Sequence, residues 1–195
     1  MRDPNSAIPA EATPELWRRY DEWRGQRHVR FNQRHAGKLM SWRNRRAARR
    51  IVLAEIVVLV VLLASAVVAF FTYAFFIPFI IAIVGAFVVQ YLLRIVTGSI
   101  AETPVTALDE IQLAQRNSAR SVGFIALFSL MFIPYIILIV LGTREQVHGQ
   151  LVYGTGILLI SLVLTGALVP TMLTAWWSDD ADPEDFATYE ENDHA

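Results

Sequence analysis

Residues 51–73 read IVLAEIVVLVVLLASAVVAFFTY, an apolar run interrupted by one acidic residue, Glu55. A hydrocarbon core about 30 Å thick takes roughly 20 apolar residues in helical form, so this run is long enough for one crossing. The apolar character continues to Thr97, and over 51–97 the formal charges are Glu55 and Arg94 alone. Two crossings therefore fit there, at 51–73 and 77–97. Residues 121–143 and 149–177 carry no Asp, Glu, Lys or Arg; they supply two more crossings, at 121–142 and 151–177. Four such runs leave too little polar surface to cover them in a soluble globule. The expected fold is all-α. It is a polytopic membrane protein whose four transmembrane helices form two antiparallel hairpins, preceded by an N-terminal amphipathic helix. The first apolar run starts too late for a cleavable signal peptide.

The net charge of −1 hides a polar separation: the first fifty residues hold thirteen Lys/Arg against five Asp/Glu, and the last eighteen hold eight acidic residues and no Lys or Arg. The chain divides into a basic cytoplasmic arm (1–50), a transmembrane domain (51–177) and an acidic cytoplasmic tail (178–195). Arg45, Arg46, Arg49 and Arg50 stand directly before the first crossing. Basic residues flanking a membrane helix favour the cytoplasmic side, and their charge suits anionic lipid headgroups. Both termini are therefore expected in the cytoplasm, with the body of the protein in the plasma membrane. Arg94, Arg116 and Arg120 flank the central loop on that same side, and Arg144 is the one basic residue of the outer connections.

In the arm, Thr13-Pro14-Glu15 reads as a helix start with Thr13 as N-cap. Trp17, Tyr20 and Trp23 make one aromatic stripe; Phe31, His35, Leu39 and Trp42 make another. Gly25 and Gly37 are expected to weaken or break the helix. A basic helix with aromatic residues on its apolar face is expected in the lipid interface; the alternative is a solvated cytoplasmic helix docked on its own protein. Trp42 and Trp176-Trp177 mark inner boundaries and Tyr73 an outer one, as in aromatic belts. The first outer turn is placed at Tyr73–Pro78, with Pro78 in the first turn of the second crossing. Thr106-Ala107-Leu108-Asp109 reads as a capping box that starts a helix against the inner membrane surface and feeds the third crossing. Ser65 with Ala69, and Ala82 with Ala86, form small-residue seams, as do Gly154, Gly156 and Gly166. Pro134 and Pro170 predict kinks. The tail, with Phe186 and Tyr189, is acidic and polar enough to stay disordered; it reads equally as a simple solubilising tail and as a segment that docks on a basic partner or on the arm.

Glu55 is the one acidic residue inside a crossing, and ionisable groups there are costly. With the first turn centred near Phe75, Glu55 and Arg94 reach about the same depth, which predicts an intramembrane ion pair. The competing use is a proton or ion site. A carboxylate beside an arginine stays ionised, which favours the structural pair. Other chemistry has no address. The chain has no cysteine. His28 and His35 are seven residues apart, about 10.5 Å along a helix, too far to share a metal. There is no phosphate-binding loop, zinc-protease helix or nucleophile elbow. No catalytic residue, metal or cofactor is expected, and no nucleic acid.

Leu108-Asp109-Glu110-Ile111-Gln112, followed by Arg116 and Arg120 and then an apolar span, resembles a pattern in small actinobacterial four-span membrane proteins without an assigned activity. The resemblance covers this segment and the topology. It implies two hairpins joined by an acidic-then-basic cytoplasmic helix. The usual pattern has a basic residue where Ile111 stands.

The expected function is that of a non-catalytic membrane accessory or scaffold protein, not an enzyme, with lipid- and partner-binding cytoplasmic arms. Its expected partners are membrane lipids, preferably anionic, and a membrane protein complex; a homo-oligomer is open. One rival is a small proton- or ion-coupled transporter or channel using Glu55, for which the later crossings offer few hydroxyls: Ser129, Thr155, Ser161, Thr165 and Thr171. Another is a membrane sensor.

Overall fold

The computed structural model describes residues 14–35, 42, 44–98 and 110–178. The readings placed on Thr13, Gly37, Leu39, the 106–109 capping box and the 179–195 tail lie outside these residues, as do the side chains of Trp17, His28 and His35. The elements are α1 (Glu15–His35), α2 (Arg45–Val68), a short 3-10 turn (Tyr73–Phe75), α3 (Phe76–Val96), α4 (Glu110–Gly142) and α5 (Gly149–Trp177). Among the described residues there is no strand. Four helices are long and apolar enough to cross a membrane: α2, α3 with its 3-10 lead-in, α4 and α5. Much of their apolar surface faces outward. Val57, Ile81, Phe87 and Ile125 are each more than 60% exposed. Water does not tolerate so continuous an apolar surface on a monomer, whereas lipid does.

The element limits refine the expected spans. α2 begins at Arg45, so the four arginines belong to the helix itself and not to the arm before it. Asn44 starts it, accepting a hydrogen bond from Ala47 N–H at 2.8 Å. Asparagine is among the best N-cap residues. α2 stops at Val68, short of Tyr73, and the chain turns through Ala69–Thr72. Thr72 then accepts from Ala74 N–H to open the 3-10 turn. Pro78 lies in the first turn of α3, where a missing N–H costs little. At the far end of α3, Gly98 adopts φ 60°, the left-handed conformation that glycine takes cheaply after a helix. α1 runs unbroken through Gly25. A single interior glycine costs about 1 kcal/mol relative to alanine, which weakens a helix without ending it. α4 is one continuous helix from Glu110, so residues 110–120 extend the third span along its axis and do not form a separate element.

α5 is the common neighbour of the bundle. It packs against α4, α2 and α3, while α2 also packs on α3. The α2–α3 contact holds Leu59, Leu62, Phe75, Phe79 and Ala82 near one end and Ile51, Val52, Leu93 and Val96 near the other. The expected seam residues Ser65, Ala69, Ala82 and Ala86 are all buried. Two ties join α5 to the α2–α3 turn. Gln150 donates from Nε2 to the Ala69 carbonyl at 2.7 Å, satisfying one of the carbonyls that a helix C-terminus leaves unpaired. Tyr153 meets Phe75 and Tyr73 ring to ring.

The α4–α5 contact depends on missing side chains. A Cβ at Gly123 would collide with the ring of Pro170, whose Cδ would lie 2.7 Å away. A Cβ at Gly166 would stand 2.8 Å from the Cα of Leu127, a backbone atom that cannot swing aside. Close approach through small residues is how membrane helices gain packing energy where the hydrophobic effect between them is absent. Gly156, by contrast, faces open space. Gly166→Ala is therefore expected to destabilise the protein by about 1–3 kcal/mol, whereas Gly156→Ala stays within about 1 kcal/mol of the parent or gains stability. Thermal melts of both variants in detergent check this; equal melting temperatures would contradict it.

Candidate functional site

Glu55 lies on the inward stripe of α2 with Ala48, Ile51, Val52, Leu59 and Leu62. Its side chain is 0% exposed, and neither carboxylate oxygen has a hydrogen-bond partner. The expected contact with Arg94 is not made. Arg94 belongs to the last turn of α3, and its guanidinium lies 4.4 Å over the ring of Phe31 in α1. The reason is the position of the turn. Because α2 ends at Val68 and not at Tyr73, the chain reverses several residues earlier than the sequence reading assumed. Val58 then lies beside Gly85, and Val52 shares a cluster with Leu93. That register brings the segment around Gln90 level with Glu55 and leaves Arg94 about one turn beyond. Gln90 is half-buried, and its Oε1 is buried without a hydrogen-bond partner. A buried acceptor left unsatisfied costs about 1–3 kcal/mol.

Three of the hydroxyls that a conducting path would use, Thr155, Ser161 and Thr165, are turned back on their own helix, as is Thr174. Thr155 donates to the Leu151 carbonyl, Ser161 to Ile157, Thr165 to Ser161 and Thr174 to Pro170, at 2.7–3.1 Å. Each satisfies its hydroxyl locally, as Ser and Thr do in a helix interior. Ser65 does the same on α2, donating to Val61. They supply no chain of polar groups running across the bundle to Glu55.

The four arginines of α2 separate into two kinds. Arg45, Arg46 and Arg50 are exposed. Arg49 is half-buried, with its guanidinium 5.0 Å over the ring of Trp176 in the last turn of α5. That turn contains no basic residue of its own, so Arg49 brings positive charge to the negative end of a neighbouring helix dipole. Trp176, expected as a lipid anchor, thus also holds α2 to α5. Arg116 is a residue that sequence reasoning misjudged. Expected as a loop flank, it is 2% exposed within α4. In the sequence it stands, like Arg120, as an arginine ahead of an apolar span, and that signal does not distinguish a flank from a buried position.

Replacing Glu55 by a residue of similar volume with no polar oxygens relieves the unsatisfied burial. Glu55→Met is expected to raise the melting temperature in detergent, by the equivalent of about 1–3 kcal/mol. A lower melting temperature would show that the carboxyl is a net stabiliser. No family model matches the chain, and neither curated proteins nor solved structures give a match.

Proposed function

We propose that the protein is a non-catalytic accessory or scaffold protein of the cytoplasmic membrane, with both termini inside and a basic face turned to anionic lipid and to a partner complex. The observation that carries this reading is the charge at the start of α2. Four arginines occupy its first two turns, and its first turn holds no acidic residue. The positive end of a helix dipole disfavours cations, and like charges four residues apart on one helix repel. An anionic bilayer surface offsets both penalties, at about 1 kcal/mol for each basic residue near it. The acidic tail offers the opposite charge from the far end of the chain.

One observation favours a second reading, a small proton- or ion-coupled transporter: Glu55 is an unpartnered carboxyl at 0% exposure within a span. Intramembrane carboxyls mark ion and proton routes in many membrane proteins. The hydroxyls bonded to their own helix support the scaffold reading over this one.

Purification of the full chain at native expression level, in native nanodiscs, tests the scaffold reading. A stoichiometric partner is expected, retained in Glu55→Gln. A homogeneous monomer or homo-oligomer without partner contradicts it. Proton or cation flux in proteoliposomes that disappears in Glu55→Gln would establish the transporter instead.

A further inference from the structure

α1 is docked on the end of α3 through Phe31, whose ring meets Tyr91 edge-on at 6.0 Å and carries Arg94 on its face. Beside this contact lies a cleft of about 490 Å³, lined by Trp23, Arg27, Arg30, Phe31 and Arg34 of α1 and by Tyr91 and Arg94 of α3. The α1 residues follow a three- and four-residue spacing, so one face of the helix supplies all of them. Arg27 stacks over Trp23 at 5.2 Å, and Arg30 reaches Gln26. Glu15, the acidic residue of the first turn of α1, is engaged with Arg19 at 2.6 Å, away from the cleft. Among the residues whose side chains are described, which do not include Asp21 and Glu22, those lining the cleft are basic or aromatic.

This arrangement has a specific chemistry. Three arginines at that spacing on one helix repel one another, and the fold adds a fourth from α3. Guanidinium forks bind phosphate oxygens in pairs, and aromatic faces hold the guanidinium planes in place. The volume lies within the range of small-ligand sites. Arg94 and Tyr91 close an apolar span, the level at which headgroup phosphates meet a membrane helix. Basic pockets at that level take phosphorylated lipid headgroups. We infer that the α1–α3 cleft is a binding site for a polyanionic phospholipid headgroup, one bearing more than a single phosphate charge. The inference rests on the proposed reading of the chain as a membrane protein whose basic arm meets anionic lipid. It adds a defined site to a diffuse attraction.

The test uses the delipidated full-length protein in detergent, titrated with cardiolipin, phosphatidylglycerol or phosphatidylcholine and read by native mass spectrometry. Cardiolipin is expected to bind most tightly. The combined Arg27→Gln, Arg30→Gln and Arg34→Gln variant should lose about tenfold in cardiolipin affinity, since charge-assisted bidentate contacts are the strong ones. Arg144→Gln, on the exposed α4–α5 connection and outside both the cleft and the basic start of α2, should keep it. Should the triple variant fail to elute as a single species, Arg34→Gln alone carries the comparison, with an expected loss of about threefold. Equal binding by parent and cleft variant overturns the site. So does an equal loss in Arg144→Gln, which would mean a charge effect not specific to the cleft. Displacement of cardiolipin by soluble pyrophosphate at similar concentration overturns the lipid assignment in favour of a soluble phosphate. If the parent shows no preference for anionic lipid at all, the lipid-binding arm of the proposed function fails as well. If the preference persists in the triple variant, only the cleft fails.

Discussion

Every backbone N–H and C=O inside hydrocarbon must find its partner within its own segment, because no water is there to accept or donate. The rest of this structure follows from that constraint. It makes each apolar run a helix and pushes the non-helical backbone to the ends. There, local devices satisfy what the helices leave open. Asn44 caps the start of α2, Gln150 bonds the Ala69 carbonyl at its end, and Gly98 closes α3 in a left-handed turn. The same constraint acts on the hydroxyls of α5, which turn back to carbonyls one turn earlier on their own helix. A hydroxyl satisfied at home needs no neighbour, so a span rich in Ser and Thr need not be a channel.

Once the helices exist, association between them depends on shape, since lipid is as apolar as the helix surfaces it covers. The α4–α5 pair shows how narrow the margin is. The Pro170 ring occupies the space a side chain at Gly123 would need, and Leu127 backbone does so at Gly166. Pro170 therefore belongs to the contact surface between the two helices. α5, bound in this way to α4 and tied to α2 at both ends by Gln150 and by the Arg49–Trp176 stack, organises the bundle.

Two electrostatic features remain after packing is accounted for, and they differ in kind. Glu55 is a single carboxyl with no partner for its oxygens. It is a local cost that invites a functional explanation without specifying one. The basic surface is distributed: arginines crowd the start of α2 against the helix dipole, and others line the cleft between α1 and α3. Such a surface gains from an external anion whatever the protein's ultimate task. It therefore supports a role at the bilayer surface more directly than Glu55 supports transport.

Most of the architecture was legible in residues 51–177, because length and hydropathy are one-dimensional properties and the bilayer converts them into helices. The four apolar helices and the burial of Ser65, Ala69, Ala82 and Ala86 needed only composition and spacing. Asn44 could also have been recognised, since asparagine directly before a helical run is a start signal. Pair geometry was not legible. A turn that begins at Ala69 instead of at Tyr73 slides α2 against α3 by more than a helical turn, and so separates Glu55 from Arg94. Nor could spacing reveal that Arg116 is buried, that Arg49 sits over Trp176, or that α1 folds onto α3 to form a cleft. Sequence alone determines what each segment must be in a membrane. Which side chains meet was decided only in three dimensions, because register and crossing depend on where a few turn residues end one helix and begin the next.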